Sequence, residues 1–191
     1  MAFNFGCSIK KNIPQDKPVA LVYATRYGST YDTAMWIKNG IGSNVTLVNL
    51  ETANLKDVLA EDALLILGSG VWIGGVHAKL KEFAKRESLQ SQQRVIGSFV
   101  VCGTPGDSEG GRQRIAGYLA QIHEPLGYIP RFSKNFGGRV VVDALNAEDK
   151  EALTRFYRKY KNQELTSWDR TSPTAASAFG ATLESALAEK I

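Results

Sequence analysis

Three stretches rich in glycine and hydroxyl residues carry most of the chemistry this sequence can offer. The first is Thr25-Arg26-Tyr27-Gly28-Ser29-Thr30, directly after the apolar run Pro18–Ala24. If the run is a strand and the following segment a helix, this loop opens a helix N-terminus. Amides without intrahelical partners then point outward, and the helix dipole favours negative charge, which suits a phosphate. Gly28 lets the backbone turn closely around an anion. Thr25, Ser29 and Thr30 can donate hydroxyl hydrogen bonds. An ordinary helix cap needs one hydroxyl, and this loop has three. No GxxxxGK[ST] and no dinucleotide GxGxxG motif accompanies it. Arg26 either adds its charge to a bound dianion or points to solvent.

The second stretch, Gly68-Ser69-Gly70-Val71-Trp72-Ile73-Gly74-Gly75, brings backbone close to something flat and places Trp72 where a planar ring could stack. The third, Cys102-Gly103-Thr104-Pro105-Gly106-Asp107-Ser108-Glu109-Gly110-Gly111, can offer amides to the carbonyls of a heterocycle. Cys102 reads as a small buried thiol at a strand end. His77 reads as a surface histidine beside the second stretch.

These loops must be positioned by the elements around them. Continuous apolar runs at Pro18–Ala24 and Ala63–Leu67 predict strands, Val45–Leu50 and Val95–Val101 read as two more, and a fifth strand region ends at Arg139–Val142. Helical spacing predicts helices at Tyr31–Asn39, Leu55–Ala60, His77–Arg86, Arg112–Gln121 and Glu148–Tyr160, with a terminal helix at Thr174–Lys190. Leu126–Gly138 is long for a link and reads as an insertion around the fifth strand. Five β-α units in a row imply a parallel sheet with helices on both faces. In such a sheet, ligands bind beyond the carboxyl ends of the strands, where all three loops lie.

The chain has 191 residues, 43% hydrophobic and 22% charged, which suits an extension at 1–17, a domain at 18–161, and a tail at 162–191 packed on it. Two cysteines, Cys7 and Cys102, argue against a disulfide scaffold or a structural zinc site, and point to a reducing, cytoplasmic setting. No run reaches the length of a membrane span. The net charge of +4 favours acidic partners, an anionic ligand or an anionic membrane surface, without a nucleic-acid motif.

The sequence LVYATRYGSTYDTAMWI resembles the phosphate loop and first helix of flavodoxins. ILGSGVWIGGVHAKL resembles the loop that covers the flavin ring, and VVCGTPGDSEGG falls where the second flavin loop lies. YATRYGST, VHAKLKEFAKR and the tail with Trp168-Asp169 are similar to the flavodoxin-domain branch that includes menaquinone-dependent protoporphyrinogen oxidase. The resemblance implies a doubly wound α/β fold of five parallel strands, order 2-1-3-4-5, with FMN at the carboxyl edge. It places the FMN phosphate in Thr25–Thr30 and the ring between Gly70–Gly75 and Cys102–Gly111. It also implies that a glycine peptide, at Gly70 or Gly74, meets the reduced ring. The third loop lacks the tyrosine that many flavodoxins place there. The chain is basic where many electron carriers are acidic.

Two roles follow as expectations. One is an FMN-dependent oxidoreductase acting on a quinone or porphyrinogen-like molecule, with peripheral membrane contact if the partner is a quinone. The other is a one-electron carrier between protein partners. A flavin-free receiver-like module would need acidic residues at the strand ends, and Tyr23-Ala24-Thr25 and Gly68-Ser69 supply none.

Overall fold

The computed structural model describes residues 17–42, 44–54, 59–90 and 92–188. In chain order its elements are β1 (Val19–Ala24), α1 (Ser29–Ile41), β2 (Val45–Asn49), β3 (Leu64–Trp72), β4 (Gly75–Val76), α2 (Ala78–Ser88), β5 (Val95–Cys102), α3 (Glu109–Leu126), β6 (Phe132–Gly137), β7 (Arg139–Val140), a 3-10 turn (Val142–Ala144), α4 (Ala147–Lys161), β8 (Trp168–Asp169) and α5 (Pro173–Ala188). The five long strands pair in parallel in the order β2-β1-β3-β5-β6, and β4 folds back antiparallel on β3. Counting only the long strands, this is the expected 2-1-3-4-5 order.

β1 and β5 are buried along their whole length, as strands covered on both faces should be, and Ser98, the polar residue within β5, is hydrogen-bonded to His123 and Ser133. Side chains alternate between two cores. Val19, Leu21 and Tyr23 share one core with Phe99, Phe136 and the inner faces of α1 and α5. Ala20, Val22 and Ala24 share the other with Leu65, Leu67 and the inner faces of α2 and α3. Among the described residues no helix is long and apolar enough to cross a membrane.

Four expectations need correction. First, the fifth strand is Phe132–Gly137 and not a region ending at Arg139–Val142. β6 sits at the sheet edge with Ser133, Lys134 and Asn135 exposed, so it reads as polar. The apolar run after it contributes only β7, paired antiparallel with β8. Residues Leu126–Gly138 are therefore the last residue of α3, a five-residue link, this strand and Gly138 itself, not an insertion. Second, β3 continues through Gly68–Trp72, so most of the second stretch is strand rather than loop. Third, α4 is a helix but not a layer helix. Only Asp149 and Leu153 of it are buried, and it lies over the carboxyl edge of the sheet. α5 takes the place beside α1, with Ala176, Phe179 and Leu183 in the core. Fourth, α3 runs well beyond Arg112–Gln121 at both ends and stops at Gly127, whose φ of 82° suits a residue without Cβ.

Residues 1–16, with Cys7, lie outside the described residues. So do residues 55–58 of the expected helix Leu55–Ala60, and Glu189 and Lys190 of the expected terminal helix. Leu59 and Ala60 are not helical.

Candidate functional site

The first loop forms as its residue types require. Gly28 adopts φ 89° and stands at the N-cap of α1 with no capping side chain. Its amide donates to Thr25 Oγ1 at 3.1 Å, which closes the loop on itself. The first helical bond runs from Asp32 N to Gly28 O at 3.0 Å. The amides of Ser29, Thr30 and Tyr31 therefore begin the helix without intrahelical acceptors. Thr30 is buried beside them, and a Cβ built on Gly70 of β3 would come within 2.9 Å of its Oγ1. Glycine at that place lets the Thr30 side chain pack closely against β3.

Arg26 takes neither of its two expected courses alone. Its Nε donates to Asp149 Oδ2 at 2.7 Å and its terminal nitrogen to Oδ1 at 2.5 Å. Tyr27 OH donates to the same carboxylate. Burial acts against the charged Asp149, yet the hydrogen bonds from Tyr27 and Arg26 and the Arg26 charge outweigh it and hold the carboxyl below its ordinary range. Asp149 lies in the first turn of α4, capped by Asn146, whose Oδ1 accepts from Asp149 N at 2.8 Å. The guanidinium also lies 4.8 Å from the centre of the Trp72 ring, and Tyr27 packs against that ring with centroids 5.8 Å apart. One ion pair thus ties α4 to the first loop and to Trp72.

The second stretch ends in a two-residue hairpin turn between Trp72 and Gly75. Both central residues have positive φ, 44° at Ile73 and 84° at Gly74. Gln121 of α3 holds the hairpin, donating to Gly74 O at 3.1 Å and accepting from Val76 N at 3.0 Å. Of the two glycines expected to meet a ring, Gly70 lies inside β3 and Gly74 in this turn. His77 follows, its Nε2 3.1 Å from Glu51 Oε1 and its Nδ1 buried without a partner among the described residues.

The third stretch divides in two. Cys102, Gly103 and Thr104 line the cleft between the loops, together with residues of the first two stretches. Burial pushes the Cys102 thiol up, which makes it a poor nucleophile. Pro105, Gly106, Gly110 and Gly111 lie off the lining. Gly110 and Gly111 belong to the first turn of α3, where Ser108 Oγ accepts from Gly111 N at 3.1 Å. Gly28 and Gly75 shape their turns without lining the cleft.

A flavodoxin domain model matches residues 20–167. The chain belongs to the flavodoxin domain family. Membership points to a flavin-dependent redox or electron-transfer role. Among solved structures, the fold is similar to the flavodiiron core from Synechocystis sp. PCC6803, at 17% identity and TM-score 0.55, covering 91% of this chain and 36% of that one. It is similar to the flavodiiron protein from Giardia intestinalis, at 13% identity and TM-score 0.51, covering 92% of this chain and 37% of that one. This flavodoxin domain therefore spans about a third of each of those longer chains. A flavodoxin from the domain Archaea matches at 16% identity and TM-score 0.51, covering 90% of this chain and 99% of that one. These likenesses concern the fold. No curated protein matches the chain.

Several lining residues of the flavodoxin domain escape a reading of its loops. Tyr118 and Arg114 come from α3, Phe156, Tyr157 and Lys161 from α4, and Trp168 from β8. The aromatic pair at 156–157 was a visible signal, but helix spacing alone assigns such residues to a sheet-facing core. The lining carries Arg26, Arg114, Arg139 and Lys161 and no carboxylate. Arg139 is paired with Asp32 at 2.8 Å. Among the described residues no cluster of histidine, cysteine and acidic groups could hold a metal ion.

Ile73 is out of place by backbone criteria. It is β-branched, at φ 44°, and its side chain is half exposed. A left-handed conformation costs such a residue roughly 1–2 kcal/mol, and strain of this kind concentrates at functional sites. Asparagine before glycine is the preferred pair for this turn. Ile73→Asn should therefore stabilise the flavin-free domain by about 1 kcal/mol, read as a higher urea midpoint.

Proposed function

We propose that the cleft binds FMN, and that the domain uses it to exchange electrons with a bulky organic molecule of the quinone or porphyrinogen kind. The observation that carries this reading is the uncapped N-terminus of α1, turned by Gly28 and opening into the same cleft as Trp72. A terminal phosphate suits the free amides, the Ser29 and Thr30 hydroxyls and the helix dipole. The carboxylate-free lining, with Gly70 and Trp72 in it, fits an anionic ligand with a planar body. FMN, when bound, supplies one- or two-electron redox chemistry. The chain binds and orients it. Ser29 and Thr30 hold the phosphate, Thr25 keeps the loop closed, and the Arg26–Asp149 pair fixes Trp72 at the ring.

An organic substrate, rather than a protein partner alone, is supported by the wall that α4 adds. Phe156 and Tyr157 extend the apolar surface, and Arg114 and Lys161 bring positive charge to it. A porphyrinogen-like acid suits those charges, and a quinone suits the aromatic wall. The cysteine-poor composition and the buried thiol of Cys102 suit a cytoplasmic setting, with the basic helices able to meet an anionic membrane.

The test is reconstitution with FMN and with riboflavin, followed by anaerobic spectroelectrochemical titration. FMN should bind at least about tenfold more tightly than riboflavin, from charge-assisted hydrogen bonds to its phosphate. A single two-electron wave supports the substrate reading. Two well-separated one-electron potentials would favour the carrier between protein partners. Absence of FMN binding removes the reading.

A further inference from the structure

The third loop has no aromatic residue, yet an aromatic ring stands at its start. Trp168 of β8 approaches Gly103, the first residue after β5, so closely that a Cβ on Gly103 would meet the indole at 2.8 Å and 3.0 Å. The ring is held from several sides. Its Nε1 donates to Tyr157 OH at 2.7 Å. Trp168 pairs with Val140 in the two-stranded ribbon of β7 and β8. The Arg170 guanidinium lies 5.0 Å from the ring centre and donates to Gly103 O at 2.9 Å. A Cβ on Gly137, at the end of β6, would run into the Arg170 carbonyl, so a second glycine is needed for the same segment to pass. Both Trp168 and Trp72 line the cleft, one brought by the tail and the other by the second stretch.

We propose that Trp168 supplies the aromatic contact to the flavin ring on the side of the third loop, in place of a side chain from the loop itself. The inference rests on the flavin reading above. Gly103 is then glycine for two reasons: it leaves room for the indole, and it keeps the loop backbone open to the ligand. The segment after α4, which ends in β8, becomes part of the binding site, so the site extends beyond the three strand-end loops. The indole is a binding residue with no proton to move. Its Nε1–H is already committed to Tyr157.

Affinities for FMN and for lumiflavin, which has the ring but no phosphate, test this in the purified full-length protein. Trp168→Leu keeps apolar bulk and removes the planar ring. It should weaken both ligands by about tenfold, in line with the energy of a stacked aromatic pair. Trp168→Phe should stay within about threefold of the parent for both. Gly103→Ala leaves every aromatic ring in the chain and displaces Trp168. It should weaken both ligands too, and it keeps the test available if Trp168→Leu does not fold. Unchanged lumiflavin affinity in Trp168→Leu or in Gly103→Ala would overturn the proposal, whatever happens to FMN. Failure of the parent protein to bind either ligand would instead remove the flavin reading on which it stands.

Discussion

Arg26→Ala is expected to destabilise the flavin-free domain by about 3 kcal/mol and Asp149→Ala by about 2 kcal/mol, although Arg26 is the more exposed partner. The asymmetry comes from what each change leaves behind. The Asp149 side chain is 3% exposed and that of Arg26 47%. Removing Asp149 releases a guanidinium that water can solvate. Removing Arg26 strands a buried carboxylate with Tyr27 and Asn146 as its remaining donors. The pH dependence follows from the direction of the shift. The folded carboxyl is held below its ordinary range, so its contribution is complete above the unfolded aspartate pKa of about 3.9 and fades as pH falls below that. Urea midpoints of parent and Arg26→Ala should therefore differ most near neutral pH and converge below about pH 4. A gap of constant size down to about pH 3 would mean that the ion pair adds nothing to stability. On the proposed function, both variants should also bind FMN less well, because the pair ties α4 and Trp72 to the first loop.

The sheet was legible because its central strands obey a simple rule. A strand covered on both faces favours an unbroken apolar run, and Pro18–Ala24 and Ala63–Leu67 have one. The edge strand obeys a weaker rule: with neighbours on one side only, Phe132–Gly137 can be half polar, and its signal passed to the more apolar Arg139–Val142. The first loop was legible as a helix start because a glycine and several hydroxyls after an apolar run suit one. The wall formed by α4 and β8 was not legible. Its residues lie more than a hundred positions from the first loop, and only tertiary contacts such as Arg26 with Asp149 bring them to it. The helix itself was correctly placed along the chain, but periodicity cannot tell a helix that covers a sheet from one that covers its edge.

Gly180→Ala and Gly117→Ala should change stability in opposite directions, although both replace a glycine inside a helix. Propensity alone favours alanine by about 1 kcal/mol at either place. Gly117 lies on the outer side of α3, and an added Cβ meets nothing within 4 Å. That substitution should stabilise the domain by about 1 kcal/mol. Gly180 lies where α5 crosses α1, opposite Gly40. An added Cβ would run into the carbonyl oxygen of Ile37 and stand 2.9 Å from the Gly40 Cα. These are backbone atoms, so no side chain can turn away, and the helices must separate. Separation lifts Phe179 and Leu183 from the core they share with Tyr23, Ile37 and Phe136. Overpacking and partial loss of that burial together outweigh propensity, for an expected loss of about 3 kcal/mol. Urea unfolding of the two variants beside the parent would read both signs in one experiment. A stabilised Gly180→Ala would mean that α5 is not seated on α1 through this glycine contact. The same loss should reach the site, because α5 anchors the far end of the segment that carries Trp168 to Gly103.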